Sequence, residues 1–245
     1  MPNDALTHLE SKGVLRFSIA YFLGILILMI CAFPFVGHSR AGAIIESVLT
    51  TLVLLSAVLA VGGRLRMLIG LILAVPALLG DWLSYLLPHL PFPELFRAFG
   101  LVFLGFVVIQ FLRYIVRAPR VDFEVLCAGI ATYLLLGLLW SFAYVLLDHW
   151  VPDSFVYTIG PAADHSMKGF NALYFSFITL STVGFGDIVP VSRVARMLAM
   201  TEAVFGMFYV TLMIARLVSL YTVRGSSDAV SPGRKVARRT GIRRL

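Results

Sequence analysis

Charge is what this sequence has least of. Only 13% of its 245 residues are Asp, Glu, Lys or Arg, while 60% are hydrophobic. About a quarter charged is usual for a soluble domain, so a chain this apolar has too little polar surface to face water on all sides. Cysteine is scarce as well: Cys31 and Cys127 both fall inside apolar runs, which implies buried packing and no disulfide framework. Nucleophile, base and metal-ligand clusters are missing from the apolar runs, which removes the basis for a membrane enzyme. His149 and His165 sit among turn-forming residues without partners at metal-ligand spacing, so solvated histidines are expected and no cofactor is.

What is present instead is a series of long apolar runs. They suggest six spans, at 15–37, 42–62, 66–87, 95–116, 122–149 and 194–222, each long enough to cross about 30 Å of hydrocarbon as a helix. Helices follow because lipid offers the backbone no hydrogen-bond partners. Lys12 and Arg16 precede an apolar stretch from Phe17 to Val36 that is too long for a removable signal peptide and lacks its small-residue cleavage pattern. With both termini cytoplasmic, fourteen basic residues fall on the inner side and five on the outer, Arg216 lying within the last span. The positive-inside rule therefore gives a multi-pass protein of the cell membrane with N and C termini inside.

The first four spans, within 15–117, form an accessory domain behind a short tail at 1–14. Four helices before a pore invite comparison with a voltage sensor, but the fourth carries no charge between Arg97 and Arg113. A sensor needs repeated arginines inside the membrane, each moving about 2.3 kcal/mol per 100 mV. Voltage gating is therefore not expected. The link to the fifth span is short and contains Pro119, which interrupts a helix and leaves little room for a lever along the membrane surface.

The remaining unit, 118–223, is arranged around Thr182-Val183-Gly184-Phe185-Gly186. Alternating glycines accept left-handed backbone angles without steric cost, so successive carbonyls can turn the same way. Together with the Thr182 hydroxyl they can stack as oxygen rings at about 3 Å intervals. Such rings replace the water shell of a cation. One chain supplies a quarter of each ring, and the sequence contains the segment once, so a homotetramer with cyclic symmetry is expected.

Thr179-Leu180-Ser181-Thr182-Val183-Gly184-Phe185-Gly186-Asp187 resembles the potassium-channel signature, in which selectivity by rings of backbone carbonyls was described and which carries Tyr where this chain has Phe185. The resemblance extends through the helices on both sides and is strongest to the pore module of small bacterial potassium channels. It implies an all-α membrane protein in which six transmembrane helices are joined by a re-entrant pore helix and selectivity filter, assembled as a tetramer. Potassium would be the permeant ligand and the filter residues its only metal site. It further implies that Tyr174 and Phe175 brace the filter, that Thr179 keeps the family spacing, and that Asp187 matches the aspartate following the filter. Ile178 stands where some relatives have a carboxylate. The alternatives are a nonselective monovalent cation channel and, in a different class, a potassium transporter subunit.

Around the filter, a pore helix is predicted from Phe170 to Ser181 with Asn171 near its cap, preceded by a turn-rich outer loop. The inner helix contains Gly206, whose helix-interior cost of up to about 1 kcal/mol wants a reason; a hinge is favoured over close packing. Ala203, Met207, Val210 and Ile214 share a face at 3.6 periodicity and are read as cavity lining. Glu202, ionisable and deep in the helix, is read as a structural brace with Ser176, Thr179 or Ser181 as partner. The tail at 224–245 carries seven basic residues and one aspartate; it is expected to be flexible and to meet anionic lipid headgroups. It is too short for a folded ligand-binding domain. The expected partners are thus further copies of the chain and lipid, not nucleic acid.

Overall fold

The computed structural model describes residues 19–35, 40–61, 63–86, 93–119, 122–158 and 165–229. The tail expected at 1–14 and positions 230–245 of the basic tail lie outside the described residues. Seven helices organise the rest. They are α1 (Ile19–Phe35, closing in a tight turn at Phe33–Phe35), α2 (Arg40–Val61), α3 (Arg64–Leu86) and α4 (Pro93–Arg117), followed by α5 (Phe123–Trp150), α6 (Gly169–Leu180) and α7 (Arg193–Ala229). Among the described residues, Phe96–Arg117, Phe123–Trp150 and Arg193–Arg216 are long and apolar enough to cross a membrane, while Ile19–Phe35, Ser47–Val61 and Gly169–Leu180 are shorter apolar helices.

Consecutive helices are neighbours: α2 packs on α3, α3 on α4 and α4 on α5. Phe22 of α1 meets Phe111 of α4 edge-on at 5.4 Å, inside a core that also buries Leu26, Phe103 and Val107. Glycine sets one close approach: a Cβ on Gly80 would overlap Phe96, so α3 and α4 come together only because that position is bare. The link from α4 to α5 is as short as expected, with α4 ending at Arg117 and α5 starting at Phe123.

The outer loop departs from an all-helical reading. Asp153 takes a left-handed turn with φ 60°, after which β1 (Phe155–Tyr157) pairs antiparallel with β2 (Ile188–Pro190) in the register Phe155–Pro190, Val156–Val189 and Tyr157–Ile188. Turn residues in the loop concealed a three-residue strand whose partner lies more than thirty positions on. Two other boundaries move. Lys168 occupies the N-cap position of α6 without a side-chain capping bond, and Asn171 lies inside the first turn, donating from its side chain to the Ser166 carbonyl at 3.1 Å. The inner helix continues through Ala229, six residues into the segment read as a flexible tail.

Candidate functional site

The site begins at the end of α6, where the helix stops and the chain must turn. The Ser181 amide still bonds the Phe177 carbonyl at 3.0 Å, and the Thr182 amide turns back to the Thr179 carbonyl at 2.9 Å. The amides of Val183 and Gly184 then share the Ile178 carbonyl at 2.9 and 3.1 Å. Thr179 takes part through its carbonyl, and the segment from Thr182 hangs from the last turn of α6.

Beyond that anchor the backbone alternates. Thr182, Gly184 and Gly186 have φ of 60°, 53° and 78°, and the intervening Val183 and Phe185 are not left-handed. Alternation of this kind turns successive peptide units toward one side. The glycines were expected to carry it; Thr182 was not, and a β-branched residue in that region is uncommon and costs on the order of 1–3 kcal/mol. The turn bonds to Thr179 and Ile178 hold it there. All five residues from Thr182 to Gly186 are exposed within the single chain, and nothing lies within 4 Å of a Cβ built on Gly184 or Gly186.

The far end of the filter is tied to the sheet. Thr158, just past β1, donates its amide to the Asp187 carbonyl at 2.8 Å, and its hydroxyl lies 3.2 Å from the carbonyls of both Gly186 and Asp187. The Asp187 carboxylate accepts from the Ile188 amide at 3.1 Å. Behind the filter Phe175 is buried in a ring triangle, 4.9 Å from Tyr144 and 5.4 Å from Phe155 by ring centroids, all edge-on. Tyr157 stacks on His165 at 5.0 Å. Burial, and then the Asp148 carboxylate, push the Tyr157 hydroxyl up to about 12, so it stays a neutral phenol.

Glu202 is fully buried between α5, α6 and α7. Its two oxygens lie 2.5 Å from the Tyr144 hydroxyl and 2.5 Å from the Ser176 hydroxyl, which is also 2.7 Å from the Gly137 carbonyl. Of these two contacts, Ser176 is a partner foreseen from the sequence and Tyr144 is not. Thr179 contributes only its carbonyl, and the Ser181 hydroxyl bonds Phe177 instead. Tyr144 was legible as a hydroxyl in the middle of an apolar helix, a group that requires an acceptor when buried.

One turn along α7, a Cβ on Gly206 would overlap the Leu180 carbonyl oxygen. Close contact with the end of α6 thus gives this glycine the packing reason that the sequence reading offered beside a hinge. The buried Ala195, Glu202 and Gly206 of α7 and the half-buried Ala199, Tyr209, Met213 and Arg216 lie on one stripe at alternating spacings of four and three, with half-buried Leu198, Thr201 and Ala203 flanking it. Tyr209 donates to the Gly129 carbonyl at 2.6 Å, and Arg216 donates to the carbonyls of Val116 and Ala118 at 2.9 Å each, capping the end of α4. Met207, Val210 and Ile214 lie exposed on the open side, with Ala203 half-buried.

Residues 132–223 match a family described as "Ion channel". That stretch takes in most of α5, the whole filter loop and α7 as far as Val223. A segment of 69 residues, 28% of this chain, is 32% identical to the protein named "Two pore potassium channel c" from Oryza sativa subsp. japonica, of which it covers 14%. The chain thus spans a small part of that relative's length. The matches are to channels and not to an enzyme. The family match falls on the stretch that contains Thr182–Gly186, in a chain that is mostly helical among the described residues.

Proposed function

We propose that four copies of this chain surround an axis and conduct potassium passively through rings of the Thr182, Val183, Gly184 and Phe185 carbonyls. The observation that carries the reading is the alternation of left-handed residues at Thr182, Gly184 and Gly186 immediately after α6. An extended run with carbonyls facing one way is what dehydrated-cation coordination requires. Several further features support it. The filter and the open side of α7 are exposed in one chain, as expected of surfaces that only further copies cover. The C-terminal end of α6 supplies partial negative charge beside the filter entrance. The rice relative is named a potassium channel.

In this reading the protein is a homotetramer of the cell membrane with both termini cytoplasmic. The basic tail lies near anionic headgroups, the filter residues bind potassium alone, and no cofactor takes part. Ala203, Met207, Val210 and Ile214 line the cavity below the filter. Voltage has little grip on α4, which lacks repeated arginines between Arg97 and Arg113. The test is the reversal potential of purified protein in planar bilayers under opposed potassium and sodium gradients, with Gly184→Asp as control. Reversal near the potassium equilibrium value, abolished by the substitution, is expected. Reversal near zero would leave a nonselective cation pore, and absence of current in all conditions would favour a transporter subunit.

A further inference from the structure

Between α5, α6 and α7 three oxygen-bearing side chains meet with a proton count that decides their chemistry. Tyr144, Ser176 and Glu202 are all 0% exposed. Three short oxygen–oxygen contacts join them: Tyr144 to Glu202 Oε2 at 2.5 Å, Ser176 to Glu202 Oε1 at 2.5 Å, and Ser176 to the Gly137 carbonyl at 2.7 Å. The Gly137 carbonyl can only accept, and so can an ionised carboxylate. Tyr144 and Ser176 bring one proton each. With Glu202 ionised, three contacts share two protons, and one pair of oxygens meets lone pair to lone pair.

A proton on Glu202 removes the conflict. Oε1 then donates to Ser176, Ser176 donates to Gly137, and Tyr144 donates to Oε2. The surroundings agree. Among the described residues no cation pairs with Glu202. Facing it from α5 are Tyr144 and, at longer range, Tyr133; α5 has no charged residue between Glu124 and Asp148. From α6 it meets Ser176, on a helix without a charged residue, and α7 has none but Glu202 between Arg196 and Arg216. Burying a carboxylate with no cation is strongly disfavoured.

We infer that Glu202 is a neutral acid whose proton relay through Ser176 to Gly137 positions the pore helix. This rests on the pore reading for its consequence but not for its chemistry. Ser176 lies two residues before Ile178, whose carbonyl holds the amides of Val183 and Gly184. The relay therefore fixes the filter entrance against α5 and α7 together, and Glu202 is a positioning residue, not an ion ligand.

Two measurements on the full-length protein test it. The first is the infrared difference spectrum between wild type and Glu202→Gln at mildly acidic, neutral and mildly alkaline pH. A protonated-carboxyl carbonyl band lost in the variant is expected at all three. Loss of an ionised-carboxylate band instead overturns the inference, whether or not the protein conducts. The second compares potassium-over-sodium selectivity. Glutamine offers the neutral acid's donor and acceptor, so Glu202→Gln retains selectivity within about twofold, whereas Glu202→Ala, with both links gone, loses about tenfold or more. Equal loss in both variants overturns the relay.

Discussion

The four leading helices and the pore unit are held together in different ways. Around Phe22, Leu26, Phe103, Val107 and Phe111 the contact is aliphatic and aromatic, with the Trp82 indole donating to Thr51 at 3.1 Å as a polar link between α3 and α2. In the pore unit each pair of helices is joined by a directed polar contact. Ser176 ties α6 to α5 and α7, Tyr144 ties α5 to α7, and Tyr209 ties the lower part of α7 to α5. Lipid tails are as apolar as leucine, so apolar packing joins helices without fixing their register sharply; hydrogen bonds fix it. The second kind of frame is what the proposed ring of ion-coordinating carbonyls requires. Arg216 joins the two regions, holding the last carbonyls of α4 from a position on the inner helix.

Substitutions on either side of this divide sharpen the contrast. The largest effect is expected from Gly206→Ala, because the added methyl overlaps the Leu180 carbonyl two residues before Thr182. Overpacking of about 1–3 kcal/mol should displace the filter entrance and lower potassium-over-sodium selectivity about tenfold or more in bilayer recordings. A hinge would instead change open probability with selectivity intact, so the same recordings separate the two roles. Tyr144→Phe comes next. It leaves Glu202 Oε2 without its donor and should cost about 1–3 kcal/mol, read as an earlier thermal transition of the detergent-solubilised protein.

Arg216→Met should act on a different property. Removing charge-assisted bonds to the end of α4, worth up to about 2 kcal/mol at a helix C-terminus, uncouples the inner helix from the leading domain. The expected change is in open probability, by several-fold, with reversal potential unmoved; a shifted reversal potential would place Arg216 within the filter frame instead. The smallest effect belongs to Trp82→Phe, which deletes a polar link worth about 0.6 kcal/mol in the apolar domain. Thermal stability should fall slightly and both conduction and selectivity should stay. Loss of selectivity there would erase the distinction between the two regions.

Local chemistry was readable in the residues themselves. Apolar run length marked the helices, alternating glycines marked a backbone that takes left-handed angles, and a lone carboxylic acid in an apolar helix marked Glu202 as a group that needs partners. Left open were questions of partner and distance. Nothing near Phe155 announces Pro190, and nothing near Arg216 announces the carbonyls of Val116 and Ala118. That Thr182 takes a left-handed angle follows from turn bonds to the pore helix, against the preference of threonine itself.

Gly206 shows the boundary most clearly. Its cost inside a helix is a local property, and the sequence alone established that the residue needs a reason. Which reason applies depends on how far α6 approaches α7, a matter of helix rotation and crossing settled by contacts among three elements at once. Sequence therefore determined which segments are helical, where glycines let the backbone alternate and which buried groups require partners, because these depend on neighbours a few residues apart. Tertiary structure alone decided that Tyr144 completes the Glu202 brace, that Gly206 meets Leu180 and that Arg216 reaches α4, because those depend on distances between helices that no local pattern encodes.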